Sequence, residues 1–363
     1  MAKKSGLSHD SILPMLKKLS FRQIYLLLGA AFICIFFASL SIGAIRFSPI
    51  QVMEYLIQGV GLKSDFTGSE LDKNIFLQLR LPRVLLCALT GAVLSVSGTL
   101  MQGLFRNPIV EPGLVGTSAG AALGAAVIFV FGKETIFSFT ETLGPLALPV
   151  MAFLGAFAAT MVVYKIASTF GKINIFILLL AGIAVNAVCN AGTGFLSYMS
   201  RDPQARSITF WNLGTFTTAD WRGVLIVAFF FALCFTMALR YAKALNALML
   251  GEEEAHYLGI NTKDLTLRLI IINTLMVAVA TAMVGVIAFV GLIVPHLLRQ
   301  MKSSDYNFLL PASALLGALL MEIVDIIARI IIPPAELPIG IITAIVGAPI
   351  FILILISNKN DDR

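Results

Sequence analysis

Residues able to do chemistry are few in this chain, and they do not cluster. The three histidines, His9, His256 and His296, share no HExxH spacing, and no paired carboxylates face one another on soluble segments. The glycine-rich run through Gly113, Gly116 and Gly120 lacks the GxxxxGK[ST] lysine and the preceding strand that a phosphate cradle needs. Cys34, Cys87, Cys189 and Cys234 all lie in apolar runs with no CxxC pair, which reads as small buried hydrophobes. No nucleophile, acid–base pair or metal cluster emerges, so no catalytic or metal-binding residue is assigned and the chain reads as a non-enzyme. Two charged groups remain. Glu322 and Asp325 stand inside an apolar run, where acids are costly and are usually functional or paired. Asp325 and Arg329 are spaced i, i+4, which predicts an intrahelical ion pair. Glu322 has no such partner and either faces a conduit or pairs with another helix.

The second group is a polar island, Leu248 to Asp264. It reads as one short helix with Leu248, Ala255 and Leu258 on one face, Glu252, Glu253 and Glu254 on the other, and Gly259 as its stop. Apolar segments flank it, so it sits at a membrane surface. It is either a docking point for a soluble partner or a solvated connector between two spans.

The elements that must position these residues follow from composition. With 58% hydrophobic residues, 13% charged and a mean hydropathy of +0.92, the 363-residue chain is an all-α polytopic membrane protein. About ten spans of roughly 20 residues fit that length. They are placed at 23–45, 84–105, 114–131, 147–168, 173–198, 223–241, 266–285, 287–301 (short), 308–331 and 337–357. A basic segment (1–22) precedes them and a polar tail (358–363) follows. The first run is too long for a signal-peptide core and has no small-residue cleavage site, so it is retained as a span. The net charge of +6 matches basic loops facing an anionic inner leaflet better than it matches nucleic acid.

Ten spans put both termini on one side. With the N-terminus inside, most of the 26 Lys and Arg fall on inner segments, and the island is cytoplasmic. Arg80, Arg83, Arg201, Arg206, Arg222 and Arg329 defy that bias. Gly91 and Gly98, with Ser95 and Ser97, give the second span a small-residue face, and Gly116 and Gly120 form a GxxxG surface. Pro108 and Pro112 end the second span. Irregular backbone at a membrane edge is tolerated against protein or a water-filled path, so the stretch from Asn107 to Gly116 is either a gate lining a conduit or a structural turn.

Taken together, Leu79–Arg83 (LRLPR), Gln102–Pro108 with Glu111–Gly116, Leu250–Glu252 with Leu258–Gly259, Phe289–His296, Ala335–Gly340 and Gly347–Pro349 resemble the permease subunits of bacterial ATP-driven importers of iron chelates and cobalamin (FecCD-type). The likeness runs from about residue 23 to 357 with the motifs in family order. It implies a type II ABC importer permease fold, a homodimer around a central path, two ATP-binding subunits at the cytoplasmic face and a substrate-binding protein at the outer face. It implies no cofactor on this chain, with ATP and magnesium on the partner ATPase. The island then becomes the coupling helix region (245–264), with Leu248, Gly251, Glu252, Glu254, Ala255, Leu258 and Gly259 meeting the ATPase.

The same resemblance assigns Arg80, Arg83 and Arg329 to docking of the binding protein, against snorkelling or intrahelical pairing as the plainer reading. It assigns Asn107, Pro108 and Ile109 to one half of an inner gate and the stretch before span five, with Ile175 and Phe176, to the other. Glu322 joins them as a path candidate. Bulky apolar residues stand where cobalamin importers carry small hydroxyl residues, which suggests an apolar seal. An apolar conduit without metal ligands argues for a large iron chelate, a siderophore or haem, at the inner membrane, with cobalamin as the alternative. An ion-coupled secondary transporter is the alternative of another class. It too would show an inverted repeat, spans two to five mirroring spans seven to ten, with Glu322 as its only coupling acid.

Overall fold

The computed structural model describes residues 17–62, 69–132, 137–169, 172–332 and 335–361; the N-terminal His9 lies outside them. Apolar runs of 20 or more residues must satisfy their own backbone in lipid, and the chain does this with helices. In order the main ones are α1 (Phe21–Ser41), the short α2 (Pro49–Gly59), α3 (Glu70–Leu104), α4 (Thr117–Phe131), α5 (Ala147–Ala167), preceded by a short helical turn at Phe137–Leu143, α6 (Ile175–Met199), α7 (Gln204–Asn212), α8 (Trp221–Arg240), α9 (Ala242–Leu248), α10 (Glu252–Tyr257), α11 (Thr262–Val284), α12 (Val290–Met301), α13 (Tyr306–Ile330) and α14 (Ile339–Asp361). The only strands among the described residues are a two-residue antiparallel pair, Ser168–Thr169 with Lys172–Ile173.

Seven helices, α1, α3, α6, α8, α11, α13 and the one ending at Ala167, are long and apolar enough to cross a membrane by length and composition. The three remaining expected spans appear as α4, α12 and α14. The first two are too short to cross alone because each follows a break: residues 105–116 before α4 and 285–289 before α12. Gly116 (φ +94°) and Gly285 (φ +80°) take the left-handed turns these breaks need.

The packing is that of an inverted repeat. If α3, α4, α5 and α6 are exchanged for α11, α12, α13 and α14, contacts map onto contacts: α4–α5 onto α12–α13, α3–α13 onto α11–α5, α3–α12 onto α11–α4, and α4–α6 onto α12–α14. Small residues set these approaches. Gly91 lies against the Gly317 carbonyl of α13, Gly98 against the Gly291 carbonyl of α12, and Gly120 against Gly155 of α5, so a Cβ at any of them would meet backbone. The largest buried cluster is centred on α3 and α11, and much of α6 and α8 is exposed.

Each break is fastened to an unbroken helix by an amide side chain. Gln102 of α3 donates to the carbonyls of Gly291 and Leu292, both at 3.3 Å, at the start of α12. Asn273 of α11 donates to the Pro112 carbonyl (3.3 Å), at the break before α4. The Glu111 carboxylate accepts the Phe289 N–H at 3.1 Å, joining one break to the other. Unsatisfied backbone at membrane depth costs several kcal/mol per group, and these side chains remove that cost.

Candidate functional site

The polar island holds one short helix, α10, but it begins only after Gly251, and Leu248 belongs to the preceding α9. The chain turns at Gly251 (φ +148°), where a Cβ would also collide with the Glu254 carboxylate, and again at Gly259 (φ +83°). That break changes which apolar residues are presented. Leu248 and Ala255 are fully buried and anchor the knob to the core, so the expected ridge of Leu248, Ala255 and Leu258 does not form. The exposed apolar crest is Met249, Leu250, Tyr257 and Leu258, with Tyr257 87% and Leu250 70% exposed. Glu252, Glu253 and Glu254 project beside it in the first turn of α10, where acids complement the helix dipole.

Behind the crest the knob is tied to α13. Asn246 donates to Asp305 (2.7 Å) and accepts the Tyr306 N–H (2.9 Å), while Asp305 caps α13. Burial alone would raise the Asp305 carboxyl. Hydrogen bonds from Asn246 and Asn307 outweigh it and hold the group below its ordinary range.

Next to the knob opens a cavity of about 1020 Å³, lined by α10, by Arg106 at the end of α3 and by Ile173, Asn174 and Ile175 at the start of α6. The two expected gate halves therefore meet the same end of the bundle. Each is an Asn-capped turn: Asn107 accepts the Ile109 N–H (3.0 Å), and Asn174 accepts those of Phe176 (2.9 Å) and Ile177 (3.1 Å). Pro108 and Ile109 are exposed beside Asn107, and Phe176 is 69% exposed. Ile175 packs half-buried on the core.

A second cavity, about 630 Å³, opens where both breaks and α4, α6 and α7 come together. Its wall carries a stripe the sequence reading missed: Asn186, Asn190, Thr193 and Ser197 of α6. Their spacing of i, i+4, i+7 and i+11 on an otherwise apolar span was the available signal. The lining is therefore mixed, a polar stripe among apolar residues, where an apolar conduit was expected.

The third group sits at the opposite end of the bundle. Arg83 of α3 donates to Asp325 (2.8 Å) and to both oxygens of Glu336 (2.7 and 2.9 Å), and Arg329 pairs with the other oxygen of Asp325 (2.9 Å). Arg329 also donates to Ser39 and to the Ile42 carbonyl, and Arg80 donates to the carbonyls of Ile42 and Ile45. The i, i+4 pair expected of Asp325 and Arg329 is present. The picture of three free outward guanidinium groups is not: Arg80 and Arg329 are buried and all three are engaged within the chain. Glu322 is likewise corrected. It is fully buried beside this ion cluster and lines neither cavity, so the structure does not bring it to the path.

Among the described residues no group of three or more His, Cys, Asp or Glu is placed to hold a metal ion. The arrangement is instead that of a conduit: broken helices around polar space, a projecting knob at one end and a braced ion cluster at the other.

The chain is similar to known proteins. The profile of the FecCD transport family matches residues 31–357. The hemin transport system permease of Yersinia pestis is 42% identical over 79% of this chain and 84% of its own length. A vitamin B12 import system permease of Klebsiella pneumoniae is 38% identical (78% and 82%), and a molybdate import system permease of Haemophilus influenzae is 34% identical (90% and 94%). A solved inward-facing metal-chelate type ABC transporter superposes with a TM-score of 0.76 at 31% identity, covering 93% of this chain and 99% of that one. The chain is a multi-pass membrane permease of the FecCD transport family, with the fold of an ATP-driven importer.

Proposed function

We propose that this chain is the membrane subunit through which an iron chelate, a siderophore or haem, is imported across the inner membrane. The observation that carries the reading is the exposed crest of Met249, Leu250, Tyr257 and Leu258 on a knob braced to α13. An apolar crest of this size with an acidic flank suits insertion into a groove of a soluble ATPase. The knob end is then cytoplasmic, as the basic residues suggest, and both termini lie there. Two copies of the chain form the path, two ATPases dock beneath, and a loaded binding protein docks at the arginine end. Closure of the ATPases tilts the helices attached to the knob, giving alternating access past the turns of Asn107–Ile109 and Asn174–Phe176. Within the arginine end Arg83 is the reachable docking group, its partner Glu336 being 29% exposed, while Arg80 and Arg329 act as bracing. ATP and magnesium bind the partner, not this chain.

The cargo reading rests on the 42% identity to a hemin permease. The vitamin B12 permeases in the same range of identity support cobalamin as the second reading. The test is purification of the tagged chain in mild detergent with its native neighbours. An ATPase copurifies, and its activity rises with a binding protein loaded with haem, ferric siderophore or cobalamin, the best stimulant naming the cargo. A chain that purifies alone and transports on a proton or sodium gradient would overturn the reading.

A further inference from the structure

Gln102 is bonded at both ends of its carboxamide, and the two ends reach different parts of the molecule. The nitrogen donates to the Gly291 and Leu292 carbonyls (both 3.3 Å) in the first turn of α12, beside the break at Phe289. The oxygen accepts from Arg299, in the last turn of the same helix. The backbone carbonyl of Gln102 accepts the Asn107 N–H (3.1 Å), so the residue also carries the gate turn. The Arg299 guanidinium in turn faces the Tyr306 hydroxyl, and that hydroxyl donates to Met249 Sδ (3.7 Å) on the exposed crest. Asn246 holds the Tyr306 N–H at 2.9 Å, so the start of α13 moves with the knob. The mirror position in the repeat lacks this line. Asn273 fastens the other break through its amide nitrogen, but its oxygen is buried with no hydrogen-bond partner among the described residues. The break that Gln102 serves is strained. Phe289 holds a left-handed φ of +70°, which a bulky residue keeps only where its surroundings impose it.

Resting on the permease reading, we propose that Tyr306, Arg299 and Gln102 are the linkage through which the ATPase moves the break before α12. Displacement of the crest carries Tyr306 with it. Arg299 follows and draws the Gln102 carboxamide off the Gly291 and Leu292 carbonyls. The start of α12 is then free to shift where Gly98 meets the Gly291 backbone with no side chain between them. The bistable element is the Gln102 amide, engaged with α12 in one state and released in the other. Gln102 and Arg299 are positioning residues, acting on the path through α12.

A cysteine at Ala288, half-buried in the wall of the second cavity and next to Phe289, reports the break. It is introduced in a C34S background, the other cysteines being buried. The permease–ATPase complex in nanodiscs is labelled with a maleimide, without nucleotide and after trapping with ATP, magnesium and vanadate. Trapping is expected to change the A288C labelling rate at least fivefold. R299Q is expected to stay at the nucleotide-free rate under both conditions. Q102E keeps an acceptor for Arg299 but loses the donor to α12, so it is expected to stay at the trapped rate under both. Damage to packing alone would move the two variants the same way, and that outcome overturns the proposal. So does a normal response in R299Q, a loss in N273A equal to that in R299Q, or no response in the unaltered complex. Should R299Q or Q102E fail to assemble with the ATPase, Y306F decides, because it removes only the hydroxyl. A response reduced at least twofold is expected there, and an unchanged one overturns the proposal. Failure of the permease reading shows separately, as absence of ATPase from the purified unaltered complex.

Discussion

The two ends of the molecule carry charge in opposite ways. At the knob, Glu252, Glu253 and Glu254 stand in solvent beside an exposed apolar crest, with Leu248, Ala255 and Asn246 among the residues that tie it to the fold. At the arginine end, Arg80, Arg83 and Arg329 are drawn inward and bonded to Asp325, Glu336 and the carbonyls that follow α1. The first arrangement keeps its groups available for a partner and contributes little to stability. The second holds α1, α3 and α13 together with the loop before α14, and little of it is available. Exposed ion pairs contribute at most about 1 kcal/mol, whereas breaking a buried one costs about 3–5 kcal/mol because the surviving charge is stranded. The same residue type at the surface of a membrane protein can thus be a contact or a brace, and burial decides which.

The comparison breaks most visibly at Asp325. D325A strands the buried Arg329 and leaves Arg83 only Glu336, and the expected loss is about 3–5 kcal/mol, read as collapse of the monodisperse peak in fluorescence-detected size exclusion after mild heating. The triple variant E252Q/E253Q/E254Q at the other end is expected to leave that heating profile unchanged. Equal profiles for the two would mean that the buried cluster is not a brace.

Between these extremes lies the packing of the repeat. Gly98 of α3 touches the Gly291 backbone of α12, and G98V must push the short helix away from Gln102, which fastens it. Overpacking of this kind costs about 1–3 kcal/mol. Thermal inactivation of ATPase coupling should fall by several degrees, while G29A, where a Cβ meets nothing, should not.

Much of this was legible in the residues, and the failures have physical causes. Hydropathy placed the seven long apolar helices and the shorter α4, α12 and α14, and the glycines of α3 and α4 marked the close crossings, because small residues in apolar runs have few other uses. The ridge on the island was misread because helical periodicity was carried across Gly251. A backbone turn at φ +148° resets the phase, so Leu248 and Ala255 point to the core while Leu250 and Tyr257 point out. The arginines were recognised as exceptions to the charge bias, but Arg83 finds Asp325 and Glu336 some 242 and 253 positions away, which no local pattern reveals. Glu322 misled for the same reason: its acidic side chain inside an apolar run marked it as special without saying which neighbours surround it.

At the knob the contrast is sharpened by function rather than stability. L250D/Y257D places charge on the exposed crest and touches nothing in the core, so the heating profile should move by less than about 0.5 kcal/mol in equivalent stability. Copurification of the ATPase should nevertheless be lost. Retained ATPase in this variant would move the docking surface away from α9 and α10. G251V/E254A is expected to give the same loss while the protein remains membrane-inserted.

The smallest effect expected is the most discriminating, because it concerns the one arginine shared by both descriptions. Arg83 holds Asp325 with one part of its guanidinium and Glu336 with another, and Glu336 is partly exposed. E336Q removes a charge from the accessible side and leaves Asp325 to neutralise the buried side. The stability change should stay within about 1 kcal/mol. A guanidinium that loses its exposed carboxylate becomes free for another, so the affinity for a loaded binding protein should rise, two- to tenfold, with a steeper dependence on salt. A loss of affinity would instead mean that Glu336 shapes the docking surface itself. No change, with D325A as destabilising as expected, would make Arg83 a brace like Arg80 and Arg329 and would move docking to other residues at that end.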